Sequence, residues 1–249
     1  MAFPAYSTDC LQGVYETRFT VTDAMTDTSG RMRLGDLARQ MEKATAGQLS
    51  AYSMSREELQ QEGKIWVIAW TSIEITKLPR EQTEVILRVW PGKNKSMMYT
   101  RRYAFYTTEE EPLVCAASLF LLMDQETRSA AAPTEKLKAV PVITLEGEPK
   151  LPKLRMDFPE QFSHWRERVV AAEEIDKNGH LNNTHYLDWA EELFGESGQE
   201  ETFRSVWVQY RRELREGQKV ELRYEDADGV WYLQGSAEGA VSFLVKMER

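Results

Sequence analysis

A weak internal repeat constrains this chain more than any other feature. Asp27, Gly30 and Met32 match Asp176, Gly179 and Leu181 at a shift of 149, and Arg80, Glu81, Val85 and Leu87 match Arg215, Glu216, Val220 and Leu222 at a shift of 135. Periodicity sets similar elements around both sets of anchors. In the first half a strand over 15–23 passes through the turn Asp27-Thr28-Ser29-Gly30 into a helix over about 32–52, whose apolar stripe is Leu34, Leu37, Ala38, Met41 and Leu49. Strands follow over 65–77, 84–90, 97–107 and 113–123, with Pro91-Gly92-Lys93-Asn94 and Glu109-Glu110-Glu111-Pro112 as turns. Alternation puts Trp66, Ile68 and Trp70 on one face of the first of these and Ile73 and Ile75 on the other. In the second half a strand over 164–175 precedes a helix with the stripe Tyr186, Trp189, Ala190, Leu193 and Phe194, and strands over 205–212, 219–225, 230–235 and 240–247 complete the copy.

An amphipathic helix followed by short antiparallel strands buries its stripe most simply when the sheet curves around it. Twice over, this predicts an α+β chain with a tandem hotdog fold, two antiparallel sheets each wrapped around a long helix. The two shifts differ by 149 − 135 = 14 residues, placed around 52–64 of the first copy. Pro133, Pro141, Pro149, Pro152 and Pro159 punctuate a stretch without sustained period. The expected organisation is a first domain over 1–132, a Pro-containing linker over 133–160 and a second domain over 161–249.

With a formal charge of −9, the chain lacks the positive surface that nucleic-acid binding needs. No apolar run reaches the roughly 18–20 residues of a membrane helix, and residues 1–9 carry no export signal, so a cytoplasmic protein without a membrane span is expected. Cys10 and Cys115 are too few for a disulfide framework and are expected as free thiols. Basic clusters at Arg31 with Arg33, Arg101 with Arg102, Lys150 with Lys153 and Arg155, and Arg211 with Arg212 and Arg215 can attract an acidic partner locally.

The reactive groups collect in one copy. Asp176, Asn178 and His180 alternate, so an extended segment presents them on one face, Gly179 permits a turn, and Asn182 or Asn183 can cap the following helix. The first copy has Ser29, Arg31 and Leu78 where the second has Asn178, His180 and Glu213. Singly, each suits a plain role: a turn for Asp176 and Asn178, packing for His180, a surface ion pair for Glu213. As a set they suit general acid–base work. His185, five residues beyond His180, is poorly placed for a zinc pair on one helix face.

Asp176-Lys177-Asn178-Gly179-His180-Leu181-Asn182-Asn183 with Tyr186 and Trp189, followed by Tyr210-Arg211-Arg212-Glu213, resembles the fatty acyl-ACP thioesterases of bacteria and plant plastids. Weaker matches are Ile65-Trp66-Val67, Lys77-Leu78-Pro79, Trp90 and Asp124 with Thr127-Arg128. The resemblance implies a tandem hotdog fold and hydrolysis of the thioester between a fatty acyl chain and acyl carrier protein, with no cofactor or metal. It implies catalytic roles for Asp176, Asn178, His180 and Glu213. Leu214 stands where many plant relatives have a cysteine, which removes a cysteine nucleophile at that position.

On this reading Glu213 and His180 position and deprotonate a water, Asn178 orients the water or the imidazole and Asp176 holds the network, with backbone donors near Gly179 and His180 binding the oxyanion at the helix start. A variant makes Asp176 the nucleophile through a mixed anhydride. Met25, Met41, Trp66 and Ile68 are expected to line an acyl slot in the first copy, which has lost the reactive set and is left to shape the pocket. Arg211, Arg212 and Arg215 are expected to meet acyl carrier protein, whose phosphopantetheine arm delivers the acyl group. A homodimer is possible in principle, although a tandem copy already supplies the pairing of single hotdogs. The rivals are an acyl-CoA thioesterase, a non-catalytic acyl-thioester binding module and a hotdog dehydratase.

Overall fold

The structure is a computed structural model and describes residues 13–95, 97–144, 156–196 and 203–249. The described residues fall into two compact units, drawn from Met1–Met32 with Leu37–Leu151 and from Arg33–Asp36 with Pro152–Arg249. Cys10 and the Lys150, Lys153, Arg155 cluster lie outside the described residues. Cys115 is buried. Among the described residues no helix is long and apolar enough to cross a membrane.

The first unit contains β1 (Tyr15–Thr20), α1 (Leu34–Ala51) from Leu37 onward, α2 (Arg56–Gln61), β2 (Lys64–Ile75), β3 (Glu84–Lys95), β4 (Met98–Thr107), β5 (Pro112–Asp124) and α3 (Glu135–Lys138). Its strands pair antiparallel in the order β1-β3-β4-β5-β2. The α1 stripe is buried at Leu34, Leu37, Ala38, Met41 and Leu49, as its period requires. Gln48 donates to the Val89 carbonyl at 2.9 Å, and Thr45 meets the Tyr103 hydroxyl at 2.7 Å, so α1 covers the face of the sheet that carries Tyr103. Inserted between α1 and β2 is α2, capped by Ser55 with Glu58 in a reciprocal box.

The second unit contains β6 (His164–Val169), α4 (His185–Glu196), β7 (Ser205–Tyr210), β8 (Lys219–Ala227), β9 (Val230–Ala237) and β10 (Ala240–Glu248). Its order is β6-β8-β9-β10-β7, the first unit's order position for position. Tyr186 and Trp189 of α4 pack on Phe243 of β10 with ring centroids 4.4 and 6.0 Å apart. A Cβ built on Gly235 would lie 1.9 Å from the Phe243 ring, so this strand position has room only for hydrogen.

Three sequence expectations differ locally. A bulge between Ile68 and Trp70 breaks the alternation of β2: Ile68 pairs with Phe120, Trp70 with Leu119 and Ile73 with Ala116. Cross-strand partners share a face, so Trp66, Ile68, Ile73 and Ile75 lie together and Trp70 lies opposite. The expected turn at Pro91–Asn94 is strand, because β3 runs on past the end of β1, where the missing Pro91 N–H removes no bond to that neighbour. The strand expected over 164–175 stops at Val169 and gives way to a 3-10 turn at Ala172–Glu174. Within the Pro-containing stretch, Lys136 of α3 donates to the Ser53 carbonyl at 3.0 Å and Ile143 N–H to the Pro91 carbonyl at 2.9 Å.

Candidate active site

The site motif is a turn held by one carboxylate. Asp176 Oδ1 accepts from Asn178 N–H at 2.7 Å and His180 N–H at 3.2 Å, and Asp176 Oδ2 accepts from the Asn178 amide at 2.7 Å. The backbone closes at Asp176 N–H to the His180 carbonyl, 2.8 Å, and at Gly179 N–H to the Asp176 carbonyl, 3.0 Å. Gly179 at φ +79° supplies the left-handed residue this closure needs. The segment is thus not extended, and its local bonds rather than strand alternation bring Asp176, Asn178 and His180 together.

The first copy repeats this turn with different side chains. Asp27 Oδ1 accepts from Ser29 N–H at 2.8 Å and Arg31 N–H at 3.0 Å, and Gly30 sits at φ +73°. Arg31 turns back on Asp27 Oδ2 at 3.2 Å, so the cation closes on its own turn. The backbone geometry is common to both copies, and the amide and imidazole are special to the second.

A second segment meets the turn. Leu181 N–H donates to the Leu214 carbonyl at 2.8 Å, both side chains being buried. That bond sets the preceding residues opposite each other, and His180 Nε2 lies 3.1 Å from Glu213 Oε2. The equivalent Met32-to-Pro79 bond, also 2.8 Å, presents no such pair because Arg31 and Leu78 occupy those places. His180 is mostly covered and Glu213 partly exposed, so the pair is reachable from outside. The Tyr186 phenol lies close enough to Glu213 for the carboxylate to add to burial in pushing its pKa up, which keeps the hydroxyl protonated.

Below the turn, Glu174 is buried and fully engaged. It accepts from Trp189 Nε1 at 2.8 Å, Ala171 N–H at 2.9 Å and the Arg168 guanidinium at 3.1 Å, while Arg168 stacks 4.8 Å over the Trp189 ring. Burial alone would raise its pKa, and these donors outweigh it and hold the carboxyl below its ordinary value. The Glu174 carbonyl accepts from Asn182 N–H at 2.9 Å, and Asn182 Oδ1 closes an Asx turn ahead of α4 by accepting from Thr184 N–H and Oγ1 at 2.8 and 2.7 Å. Sequence reading passed over Glu174 and gave Tyr186 only a packing role. The one signal for Glu174 in the sequence is that the pair Glu173-Glu174 interrupts an apolar approach to the motif.

One expectation is corrected. The Gly179 and His180 N–H groups are committed to the Asp176 carbonyl and carboxylate, and α4 begins only at His185, so neither donor waits at a helix start for an oxyanion. The expected acyl-slot residues lie in the first unit. Met25 accepts from Gln40 through sulfur at 3.9 Å, Met41 is buried in the α1 stripe, and Trp66 and Ile68 share a β2 face above Phe120. Arg211, Arg212 and Arg215 are exposed around Glu213, with Arg211 Nε on Gln209 at 3.0 Å.

The model of the acyl-ACP thioesterase N-terminal domain matches residues 12–140, and that of the C-terminal domain matches 160–246. The chain belongs to the acyl-ACP thioesterase family. A chloroplastic acyl-[acyl-carrier-protein] hydrolase of Cuphea viscosissima is 26% identical over 187 residues, covering 70% of this chain and 45% of that protein. An oleoyl-acyl carrier protein thioesterase of Arabidopsis thaliana, also chloroplastic, is 27% identical over 173 residues, covering 63% and 46%. The chain thus spans less than half the length of these curated relatives. Among solved structures, an acyl-ACP thioesterase from Bacteroides thetaiotaomicron matches at TM-score 0.84 and 17% identity, over 94% of this chain and 97% of that one. The 12:0-ACP thioesterase from Umbellularia californica matches at 0.83 and 16%, over 94% and 96%. At these identities the likeness concerns the fold, a tandem hotdog.

Proposed function

We propose that the protein hydrolyses fatty acyl-ACP, releasing a free fatty acid and the carrier thiol. The observation that carries this reading is the His180 Nε2 to Glu213 Oε2 contact of 3.1 Å, partly open to solvent, with His180 in the same turn as the Asn178 amide. The pair takes a proton from water, the water oxygen bonds to the thioester carbon, and the carbonyl electrons move onto oxygen. When they return, the C–S bond breaks and the proton passes to the departing sulfur. A thiol of pKa about 8.5 leaves readily, so no strong acid is required. Asn178 has a second amide N–H beyond the one on Asp176, and this donor orients the water or the developing oxyanion.

Asp176 acts as the turn-holder. Its carboxylate is occupied by three donors, as Asp27 is bonded in the copy without the imidazole, which supports direct attack by water over an aspartyl anhydride. The first copy, with Met25, Met41, Trp66 and Ile68, is the acyl-receiving half, and the exposed Arg211, Arg212 and Arg215 are the landing patch for an acidic carrier protein. The domain limits 1–132 and 161–249, a cytoplasmic setting and a possible homodimer belong to the same proposal. Limited proteolysis, cell fractionation and light scattering address these in turn.

The test is thiol release from a panel of acyl-ACPs and acyl-CoAs. His180→Ala and Glu213→Ala are expected to lower kcat by about a hundredfold or more, in line with loss of general-base help, with acyl-ACP binding retained. Binding without thiol release by the unaltered protein would make it a carrier-binding module. Faster turnover of acyl-CoA would reassign the substrate. Single turnover in isotopically labelled water should place label in the fatty acid alone, and label in Asp176 would restore the anhydride route.

A further inference from the structure

In the first unit, Trp66 and Ile68 on β2, Phe120 on β5, and Tyr99 and Arg101 on β4 share one face. Phe120 pairs with both Ile68 and Tyr99, and Arg101 is two residues from Tyr103, whose hydroxyl reaches α1. Residues of inner strands beneath a helix are normally sealed, as Tyr103, Ala116 and Ile73 are here at 1% exposure. The five named residues remain half-buried. Among the described residues, their end of this face is therefore incompletely covered.

This end is aromatic and its buried polar atoms are donors. Trp66 meets Tyr99 at 5.1 Å and Phe120 at 6.3 Å, and the Arg101 guanidinium lies 5.8 Å from the Phe120 centroid. Trp66 Nε1 and Arg101 Nε are buried with no hydrogen-bond acceptor among the described residues. The groups that act electrostatically on Arg101 are the phenols of Tyr52 and Tyr103, and no carboxylate pairs with it among the described residues. Two hydroxyl pairs further along the same face are closed: Thr71 Oγ1 meets Ser118 Oγ at 3.1 Å and Thr45 meets Tyr103 at 2.7 Å. Buried donors without acceptors are unfavourable and rare.

We propose that this end of the face forms a hollow that receives an acyl chain bearing an acceptor oxygen, as a hydroxyl, keto or terminal carboxylate group, held by the Arg101 guanidinium and the Trp66 indole N–H. Ile68, Phe120 and Tyr99 cover the hydrocarbon. An unsubstituted chain would leave both donors unanswered, so the site discriminates by polarity as well as length. This rests on the first copy being the acyl-receiving half.

The experiment compares acyl-ACPs of one chain length carrying no substituent, a hydroxyl, a keto group or a terminal carboxylate. At least one oxygenated substrate is expected to exceed the plain one about tenfold in kcat/KM, and the arm that does so names the oxygen group. Arg101→Met, and the milder Trp66→Phe, should each cut that preference severalfold to tenfold, with circular dichroism reporting that both variants fold. Equal or better turnover of the plain substrate, with a profile unmoved by either variant, overturns the proposal and leaves thioester hydrolysis standing. If no acyl-ACP is cleaved, the hydrolase reading fails instead. The hollow is then judged by calorimetry with the free acids, where tighter binding of an oxygenated acid lost in Trp66→Phe supports it and indifference overturns it.

Discussion

At the residue scale, the site depends on a few carboxylates with different duties. Asp176 shapes a turn, Glu213 meets an imidazole, and Glu174 anchors Trp189, Arg168 and the backbone beneath them. Glu174→Gln keeps the shape and removes the charge from a buried, charge-assisted set, an expected cost of about 1–3 kcal/mol in denaturant unfolding at neutral pH. The folded pKa of Glu174 lies below its ordinary value, so this stabilisation is present above that ordinary value and is lost as pH falls through the folded one. The difference between wild type and variant should therefore shrink in acid. A constant difference would mean that the charge contributes nothing.

At the element scale, α4 is locked from two sides. Its Tyr186 and Trp189 rest on Phe243, which itself lies over Gly235. Gly235→Ala should push that ring into α4 at a cost of about 1–3 kcal/mol, seen as a lower Tm with kcat reduced alongside. A neutral outcome would show that Phe243 has another rotamer available. Glu191, also on α4, accepts from Leu34 N–H at 2.8 Å, within the Arg33–Asp36 segment that groups with the second unit. Burial first, and the Asp188 charge after it, push the Glu191 carboxyl up to about 8. Between the ordinary carboxylate value of 4.5 and about 8 the folded state holds a proton that the unfolded state has released, so stability falls as pH rises across that window. Glu191→Gln retains an acceptor without the titration, and its Tm relative to wild type should be higher at about pH 9 than at about pH 5. The same Tm difference at both would refute the shift.

At the scale of the whole molecule, the proposed function requires a chain of formal charge −9 to bring an acidic carrier to Glu213 through local basic groups. Arg211, Arg212 and Arg215 are exposed there. Replacing all three with Ala should lower kcat/KM for acyl-ACP severalfold and flatten its salt dependence, with a smaller effect on a short acyl-cysteamine thioester that lacks the carrier. Equal losses on both substrates would place the arginines in structure rather than docking.

The order of the strands and the two long helices, the duplication and the residue types that separate the copies were written in the sequence, because hydrophobic period, turn chemistry and local spacing act over a few residues. Asp176, Asn178, His180 and Glu213 could be singled out for the same reason, by comparison with Asp27, Ser29, Arg31 and Leu78. Only the tertiary structure decided that His180 and Glu213 stand 3.1 Å apart, since that follows from the bond between Leu181 and Leu214 in separate segments. It also decided that Trp70 faces away from Trp66, because one bulged residue shifts register in a way alternation does not reveal. Glu174 and the orphan donors of Trp66 and Arg101 came into view only there, because satisfaction of a buried polar group depends on what the fold packs against it.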